Sequence, residues 1–210
     1  MINILIADDH QMFREGLKQI LSINNEIKTA AEAANGRELI EIIMHNKFDL
    51  LVLDISMPGM NIFDLLSGIK QIDAQLPILI LSMHPEEQYA VRLLKAGISG
   101  YLTKESAAEE LVSAIKRIKA GGKYISSKLA ETIALSIEDA NKKASHSDLS
   151  NREFEVLCML ASGKSLKEIA DSLFISQKTV TTYRARILEK LKLKNNVELT
   201  RYAIENKLIN

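Results

Sequence analysis

The first 122 residues alternate short apolar runs with longer amphipathic stretches. The short runs predict five strands, over residues 2–7, 28–32, 50–53, 78–81 and 100–102. Between them, apolar residues recur every three or four positions, which predicts helices over 13–21, 37–45, 63–72, 86–95 and 108–120. Repeated strand–helix units with apolar strands indicate a parallel sheet that is covered by helices on both faces. The fold expected for this part is a doubly wound (βα)5 α/β domain.

The pattern changes at residue 148, after which the apolar spacing is helical throughout. Helices are predicted over 151–161, 166–172, 177–191 and 196–206. Three of them begin with a pair of residues typical of a capping box, namely Ser150 with Glu153, Ser165 with Glu168 and Asn195 with Glu198. A small all-α domain of four helices is therefore expected, in which 166–172 and 177–191 form a helix-turn-helix.

The segment between the two parts has a different composition. Residues 127–140 have a weaker helical pattern, and 141–147 are polar, as is typical of a linker. The expected organisation is one domain over 1–122, a linker with a helix over 123–146, and a second domain over 147–210.

Composition narrows the class of protein. The apolar content of 47% and the balance of 27 basic and 27 acidic residues exclude a disordered or fibrous chain. The apolar runs are too short to span a membrane, and the amino terminus lacks the pattern of a secretory signal. A cytoplasmic protein without a membrane partner is expected. Cys158, the only cysteine, is expected to be a buried core residue.

The net charge is unevenly distributed along the chain. Residues 1–122 contain 12 Lys/Arg and 16 Asp/Glu, whereas residues 147–210 contain 11 and 8. Within 178–194, six basic residues accompany a single acidic one, Glu189. An acidic first part and a locally basic second part suggest two separate tasks.

Polar side chains follow four of the predicted strands. Asp8 and Asp9 follow the first strand, Asp54 the third, Ser82 the fourth and Lys104 the fifth. Taken alone, the Asp8–Asp9 pair is more typical of a solvated turn than of a metal site. If the strand order is 2-1-3-4-5, however, the three aspartates converge at the carboxyl edge of the sheet, where such sheets bind ligands.

Three convergent carboxylates repel one another and favour a bound cation. Mg²⁺ fits such a site because it prefers oxygen ligands and retains several waters. Lys104 adds a positive charge that can pair with a carboxylate or a phosphoryl oxygen, and Ser82 adds a hydroxyl donor. The set suits phosphoryl transfer to an aspartate, since the metal and the lysine offset charge on the transferring group.

Four motifs carry this pocket: DDH at 8–10, LDISMPG at 53–59, LS at 81–82 and YLTK at 101–104. In order, spacing and strand position they resemble the receiver domains of bacterial response regulators, over residues 2–122. The resemblance implies that the phosphoryl group is accepted by Asp54. It implies that Mg²⁺ is held by Asp8, Asp9, Asp54 and the backbone carbonyl of Ser56. It also implies a phosphoryl-binding and switch set of Ser82, Tyr101 and Lys104.

The resemblance leaves one metal ligand undecided, and the sequence departs from the family pattern at two places. Which of Asp8 and Asp9 contacts the metal directly is not fixed by the sequence, although the resemblance favours Asp9. Asn61-Ile62 stand where the family usually has Asp-Gly or Asn-Gly, so this loop loses easy access to positive φ, and the sequence does not fix its geometry over 59–63. Glu105 stands where many receivers have proline.

The helix predicted over 177–191 has two different faces. Its apolar face consists of Val180, Tyr183, Ile187, Leu188 and Leu191. The other face is small, polar and basic, and consists of Lys178, Thr181, Thr182, Ala185, Arg186 and Lys190. Such a helix fits the major groove of B-DNA, where Arg can bond guanine and Thr can contact bases or phosphates. On this pattern alone, a solvated face with ordinary lysines remains an equal alternative.

The stretch LSNREFEVLCMLASGKSLKEIADSLFISQKTVTTYRARILEKL closely resembles the LuxR-type DNA-binding domain of the NarL/FixJ response-regulator subfamily, with the match spanning 148–207. The resemblance implies that 177–191 is the recognition helix. It also implies that the last helix can mediate dimerisation on DNA, through Val197, Thr200 and Ile204. Asn196 stands where arginine is common, so a weaker phosphate contact or helix cap is expected there.

These observations predict a transcriptional regulator of a two-component system, with no enzymatic activity beyond its own phosphorylation and dephosphorylation at Asp54. A sensor histidine kinase or a small phosphodonor would phosphorylate Asp54. Phosphorylation would then control binding of double-stranded DNA by 177–191 and favour a homodimer. One alternative is a Mg²⁺-dependent phosphohydrolase with an accessory helical domain. Another is a DNA-binding protein that acts independently of phosphorylation.

Overall fold

The computed structural model describes residues 1–58, 60–83, 86–127, 129–131, 146–206 and 208–209. The chain divides into two compact units, Met1–Thr132 and Ile133–Asn210. Among the described residues, no helix combines the length and the apolar character needed to cross a membrane.

The first unit is built on a parallel five-stranded sheet with the order β2-β1-β3-β4-β5. Its strands are β1 (Ile2–Ala7), β2 (Ile27–Ala33), β3 (Leu50–Asp54), β4 (Ile78–Ser82) and β5 (Gly100–Thr103). Both β3 and β4 are buried along their whole length, as expected for central strands covered on both faces. The order confirms the arrangement on which the predicted convergence of the aspartates depends.

Helices cover both faces of this sheet. They are α1 (Gln11–Ser22), α2 (Gly36–His45), α3 (Ile62–Ile72), α4 (Glu86–Lys95) and α5 (Ala107–Lys119). Helix α1 lies beside α5, and α2 lies beside α3. All five correspond to predicted helices, with small differences at the ends. Gly121 has a φ of 87° just past α5, which is the left-handed conformation that ends a helix.

The loop before α3 adapts to the missing glycine. Asn61 has φ −67° and ψ 142°, an extended conformation, and its side chain accepts hydrogen bonds from the backbone N–H groups of Phe63 and Asp64. Ile62 is buried and begins the helix. Asn61 therefore acts as a helix cap and does not adopt a positive φ. Residue 59 of this loop lies outside the described residues.

The first described residues of the predicted linker pack against the first unit. The backbone N–H of Tyr124 donates to the carbonyl of Ser99 (2.9 Å), and that of Tyr101 donates to the carbonyl of Tyr124 (3.0 Å). Leu129 is buried. The first unit thus extends beyond residue 122. Residues 127 and 129–131 are helical, and the rest of the predicted helix over 127–140 lies outside the described residues.

The second unit contains the four predicted helices, α6 (Asn151–Ala161), α7 (Leu166–Leu173), α8 (Gln177–Leu191) and α9 (Asn196–Glu205). A short 3-10 turn over His146–Asp148 precedes them. The core is formed by buried apolar side chains from all four helices, among them Phe154, Leu157, Ile169, Val180, Ile187 and Leu199. Cys158 is buried, as predicted.

Two of the three predicted capping boxes are complete. In α6 and α7 the N-cap serine and the glutamate three residues later bond each other's backbone N–H groups. The third is half formed. The Asn195 side chain accepts from the N–H of Glu198, but the Glu198 carboxylate accepts from the N–H of Lys194 (2.8 Å) and not from that of Asn195.

Candidate functional site

The first candidate site lies at the carboxyl edge of the sheet in the first unit. Asp8 follows β1 and Asp54 ends the neighbouring β3, and both residues are buried, with 1% and 3% of their surface exposed. Carboxylate oxygens of Asp8, Asp9 and Asp54 and a ring nitrogen of His10 all lie within 4.8 Å of one another. The structure therefore brings the three predicted aspartates together.

Lys104 reaches into this cluster from the end of β5. Its Nζ donates to Asp8 Oδ2 (2.6 Å) and to Asp54 Oδ2 (3.0 Å). Only 8% of its side chain is exposed. The backbone N–H of Lys104 donates to the carbonyl of Ser82 (2.8 Å), which fixes the loop after β5 against the end of β4. Residues from three different strand ends thus share one buried charge network.

The electrostatics of the pocket are set by burial and by the lysine. Burial raises the pKa of Asp54, and the charge and hydrogen bond of Lys104 oppose this rise without cancelling it. Burial acts to lower the pKa of Lys104, but the hydrogen bond to Asp8 and the charge of Asp54 outweigh it, so the pKa of Lys104 is raised. Lys104 is therefore charged at neutral pH, and further positive charge in the pocket favours the ionised form of Asp54.

His10 is a neighbour of the aspartates that the sequence analysis left out of the site. Its Nδ1 lies 2.7 Å from Asp9 Oδ1, and its backbone N–H donates to Asp8 Oδ1 (2.8 Å). The only signal for His10 in the sequence is that it directly follows the two acids in the DDH motif. Arg14 also supports this turn, because its guanidinium donates to the backbone carbonyl of Asp8 (2.7 Å).

The remaining predicted residues of this site lie around the same edge. Ser82, the last residue of β4, is buried, and Tyr101 on the adjacent strand is fully buried in the inward orientation. The backbone N–H of Ser56 donates to the Asp54 carboxylate and lowers its pKa against the larger effect of burial. One pocket therefore contains Asp8, Asp9, Asp54 and Lys104, and Ser82 ends the strand next to that of Asp54.

The second candidate site is the exposed face of α8. The six predicted DNA-contact residues are all exposed: Lys178, Thr181, Thr182, Ala185, Arg186 and Lys190. The opposite face is buried at Val180, Ile187 and Leu191. The hydroxyls of Thr181 and Thr182 donate to the backbone carbonyls of Gln177 and Lys178 (2.9 and 3.0 Å). Lys190 Nζ donates to Glu153 Oε2 (2.7 Å) and so forms an ion pair within the unit. The sequence gave no sign of this ion pair.

Helix α9 presents the predicted dimerisation residues at its surface. Val197 and Ile204 are 78% and 56% exposed, and Thr200 is half-buried between them. Asn196, one of the departures from the family pattern, accepts a hydrogen bond from Arg184 Nε (2.6 Å). Asn195 caps the helix, so the predicted weakening of the cap at Asn196 is not seen.

Both units match known protein families. Residues 4–116 match the response regulator receiver domain, and residues 147–203 match the bacterial regulatory proteins of the luxR family. The chain therefore belongs to the response regulators that combine a receiver domain with a LuxR-type DNA-binding domain. This finding confirms the family and the fold class expected from the sequence, and nothing in it supports the phosphohydrolase alternative.

Individual relatives resemble the chain over its whole length. Response regulator UvrY of Escherichia coli (strain K12) is 36% identical over 211 residues, which cover 100% of this chain and 97% of UvrY. A solved structure of the RcsB response regulator of Salmonella typhimurium has a TM-score of 0.75 and 25% identity, with 98% of each chain covered. A structure of two RcsB dimers bound to two parallel DNAs has a TM-score of 0.59 and 26% identity, covering 100% of this chain and 99% of the other.

Proposed function

We propose that phosphorylation of Asp54 in a Mg²⁺-binding pocket controls DNA binding by helix α8. The observation that carries this proposal is the pair of hydrogen bonds from Lys104 Nζ to Asp8 (2.6 Å) and Asp54 (3.0 Å). A buried lysine that bonds two carboxylates is already placed to bond an oxygen of a phosphoryl group attached to Asp54.

The residues of the pocket fit Mg²⁺. Asp8, Asp9 and Asp54 offer carboxylate oxygens that lie within 4.8 Å of one another, and oxygen ligands are those that Mg²⁺ prefers. The backbone carbonyl of Ser56 would complete the protein ligands. Of Asp8 and Asp9, Asp9 is the residue expected to contact the metal directly. Bound there, Mg²⁺ offsets negative charge on the transferring phosphoryl group.

The chain's own residues account for the transfer step. An Asp54 carboxylate oxygen attacks the phosphorus atom of a sensor histidine kinase's phosphohistidine or of a small phosphodonor. The new O–P bond forms as the bond from phosphorus to the donor atom breaks, and the donor atom keeps the electron pair. Lys104 then bonds a phosphoryl oxygen in place of Asp54 Oδ2. The regulator itself is the acceptor of the phosphoryl group, and the kinase or small phosphodonor is the donor.

Phosphorylation then changes the surface of the first unit. The Ser82 hydroxyl bonds a phosphoryl oxygen, which stabilises Tyr101 in its inward orientation on β5. The added charge thereby shifts the balance between two states of the receiver surface. We infer that this shift promotes a homodimer and DNA binding, and that the protein acts in the cytoplasm.

Support for double-stranded DNA as the ligand comes from α8 and α9. The exposed face of α8 carries Lys178 and Arg186 beside small polar residues, a composition that suits a major groove. The exposed apolar side chains of Val197 and Ile204 provide a surface through which two copies can associate on DNA. The RcsB dimers bound to DNA are built on the same fold.

The proposal is tested with the full-length protein, a small acyl phosphate and Mg²⁺. Intact-mass spectrometry should detect one added phosphoryl group on the wild type, and chelation of Mg²⁺ should prevent the addition. Asp54→Asn should remain unmodified. Asp64→Asn, which changes an exposed aspartate in the first turn of α3, serves as the matched control and should be modified like the wild type.

The second half of the test concerns DNA. Fragments selected from a random-sequence duplex library should bind the phosphorylated wild type more tightly than the untreated protein at the same salt concentration. Uptake by Asp54→Asn equal to that of the wild type would refute the site. Equal DNA affinity with and without phosphorylation would favour the alternative in which binding is independent of it.

A further inference from the structure

An aromatic ring lies over the charged group of the pocket. Lys104 Nζ is 4.5 Å from the centroid of the Phe13 ring, while the same nitrogen bonds Asp8 and Asp54. A cation within about 6 Å of a ring centroid is attracted by the negative face of the ring. The attraction is strongest where water is excluded, and only 8% of the Lys104 side chain is exposed.

The position of Phe13 follows from the start of α1. His10 forms the N-cap, and its carbonyl accepts hydrogen bonds from the backbone N–H groups of both Phe13 and Arg14 (3.1 Å each). Leu17 and Leu21, one and two turns later on the same face, are buried. Phe13 is therefore the member of this apolar face that lies nearest to the carboxyl edge of the sheet, and its ring reaches the pocket.

We propose that Phe13 is a positioning residue for phosphoryl transfer, whose ring holds the Lys104 ammonium group in the pocket. This inference rests on the function proposed above, because it concerns the same lysine. Phe13 does not touch the reacting atoms and acts only through Lys104. At the level of sequence it is indistinguishable from an ordinary core residue of α1.

The chemistry of the ring suits a lysine that must exchange partners. An ammonium group has three N–H donors, and the carboxylates of Asp8 and Asp54 account for two of them. On phosphorylation, Lys104 must turn from Asp54 Oδ2 to a phosphoryl oxygen. A ring attracts the charge with little dependence on the direction of the N–H bonds, so the ammonium group can turn while it stays in place. A further carboxylate would instead compete with the phosphoryl oxygen.

Two substitutions separate the ring's electrostatic contribution from its packing. Phe13→Leu keeps an apolar side chain but removes the aromatic face, whereas Phe13→Tyr retains it. Ile20→Ala is the matched control, because Ile20 is also a partly buried residue of α1 that packs against the same core cluster, and it lies seven residues after Phe13 and has no aromatic ring. All three are made in the full-length protein.

The first readout is the rate of Asp54 phosphorylation by a small acyl phosphate at saturating Mg²⁺. Phe13→Leu should slow it about five- to tenfold, which corresponds to the loss of one partly desolvated cation–π contact. Phe13→Tyr should restore a rate close to that of the wild type, and Ile20→Ala should leave the rate unchanged even though it lowers stability.

The second readout is independent of phosphorylation. In NMR spectra the ε-methylene protons of Lys104 should be shifted upfield by the ring current in the wild type and in Phe13→Tyr. The upfield shift should disappear in Phe13→Leu and persist in Ile20→Ala. These shifts test whether the ring lies over the Lys104 side chain, and the rates of Phe13→Leu and Phe13→Tyr test whether that position contributes to the reaction.

The inference is overturned if Phe13→Leu reacts as fast as the wild type, if Ile20→Ala slows the reaction as much, or if Lys104 shows no ring-current shift. The function proposed above fails separately, when the wild type accepts no phosphoryl group or Asp54→Asn accepts one equally well. A normal rate in Phe13→Leu together with an inert Asp54→Asn would refute only the contribution of Phe13.

Discussion

Lys190 and Glu153 are joined by a hydrogen bond of 2.7 Å, although 37 positions separate them in the sequence. The same Glu153 oxygen accepts from the backbone N–H of Ser150 (2.7 Å), within the capping box of α6. One nearly buried carboxylate therefore ties the first turn of α6 to the last turn of α8. This contact holds the last turn of α8 against α6, and it engages the ammonium group of a residue on the exposed face of α8.

Removal of the Glu153 charge should destabilise the second unit. Glu153→Gln leaves the lysine without its partner and weakens the cap, for an expected loss of about 1–3 kcal/mol. Glu168→Gln is the matched control, because Glu168 completes the capping box of α7 but is exposed. Its expected cost is smaller, about 0.5–1 kcal/mol. Native-state hydrogen exchange of α8 amides in the full-length protein measures both, and equal effects would contradict a special contribution of Lys190.

The same ion pair makes the second unit sensitive to acid. Burial acts to raise the pKa of Glu153, but the hydrogen bonds from Lys190 and Ser150 outweigh it and hold the pKa below its ordinary value of 4.5. A depressed pKa in the folded state means that the stabilisation is present above about pH 4.5 and is lost as the pH falls through the lower folded value.

Hydrogen exchange of α8 amides as a function of pH tests this dependence. After correction for the intrinsic exchange rates, the stability of the wild type should fall more steeply below about pH 4.5 than that of Glu153→Gln, which cannot titrate at this position. Parallel curves for the two proteins would show that Glu153 does not contribute to the acid sensitivity.

The fold and the acidic pocket could be predicted from the sequence because each depends on a regular pattern. The alternation of apolar runs and amphipathic stretches predicts the strands and helices of a parallel α/β domain. Because the polar residues follow successive strands, the parallel sheet brings these residues to its carboxyl edge. Asp8, Asp54 and Lys104 are far apart in sequence, but the topology alone makes them neighbours.

Contacts between single side chains could not be predicted in this way. Phe13 and Ile20 are both apolar residues of α1, and nothing in the sequence indicates that the ring of Phe13 lies over Lys104. The same holds for Asn61. The missing glycine indicated only that positive φ is less accessible in this loop, and the side-chain cap that Asn61 provides for α3 became visible only in the structure.

Gly100 should be intolerant of a side chain because Tyr124 packs against its backbone. A Cβ at residue 100 would lie 2.9 Å from the carbonyl oxygen of Tyr124 and 3.0 Å from Leu79 Cδ1. Gly100→Ala should therefore detach residues 123–125 from β5 and cost about 1–3 kcal/mol. The amides of Tyr101 and Tyr124, which bond across this junction, should exchange faster with solvent.

Gly16→Ala provides the control for that substitution. Gly16 lies inside α1, and a Cβ there would meet no atom within 4 Å. Alanine should stabilise the helix by about 0.5–1 kcal/mol, since it has the higher helix propensity. If Gly100→Ala were as well tolerated as Gly16→Ala, the pairing of Tyr124 with β5 would not contribute to the stability of the first unit.

Arg186→Ala should weaken DNA binding and lower its dependence on salt. Arg186 is exposed on α8, so its loss removes one base or phosphate contact without disturbing the core. The expected cost is about 1–3 kcal/mol of binding free energy, and loss of a phosphate contact reduces the salt slope by about one. Fluorescence anisotropy with a selected duplex over a salt series measures both quantities.

Arg37→Ala is the matched control for Arg186. It removes an exposed arginine from α2 of the first unit, which has no part in the proposed DNA or dimer contacts. Affinity and salt slope should then remain close to those of the wild type. If Arg186→Ala also left both quantities unchanged, α8 would not be the helix that contacts DNA.

Val197 and Ile204 should contribute to dimerisation on DNA. They lie two turns apart on α9 and are 78% and 56% exposed, so Val197→Ser with Ile204→Ser should hardly change the stability of the monomer. Burial of such side chains in an interface contributes about 1.5–3 kcal/mol each, and both copies of a symmetric dimer lose them together. Sedimentation of the protein with a duplex that carries two half-sites should show one bound copy where the wild type shows two.

The control for the dimer prediction is Met44→Ser, which removes an exposed apolar side chain, 62% accessible, from α2 of the first unit. It should leave two copies on the duplex, because α2 has no part in the proposed interface. The double substitution should also leave binding to a single half-site unchanged, since α8 is intact. Two copies bound by the Val197→Ser, Ile204→Ser protein at the affinity of the wild type would exclude this face of α9 from the dimer.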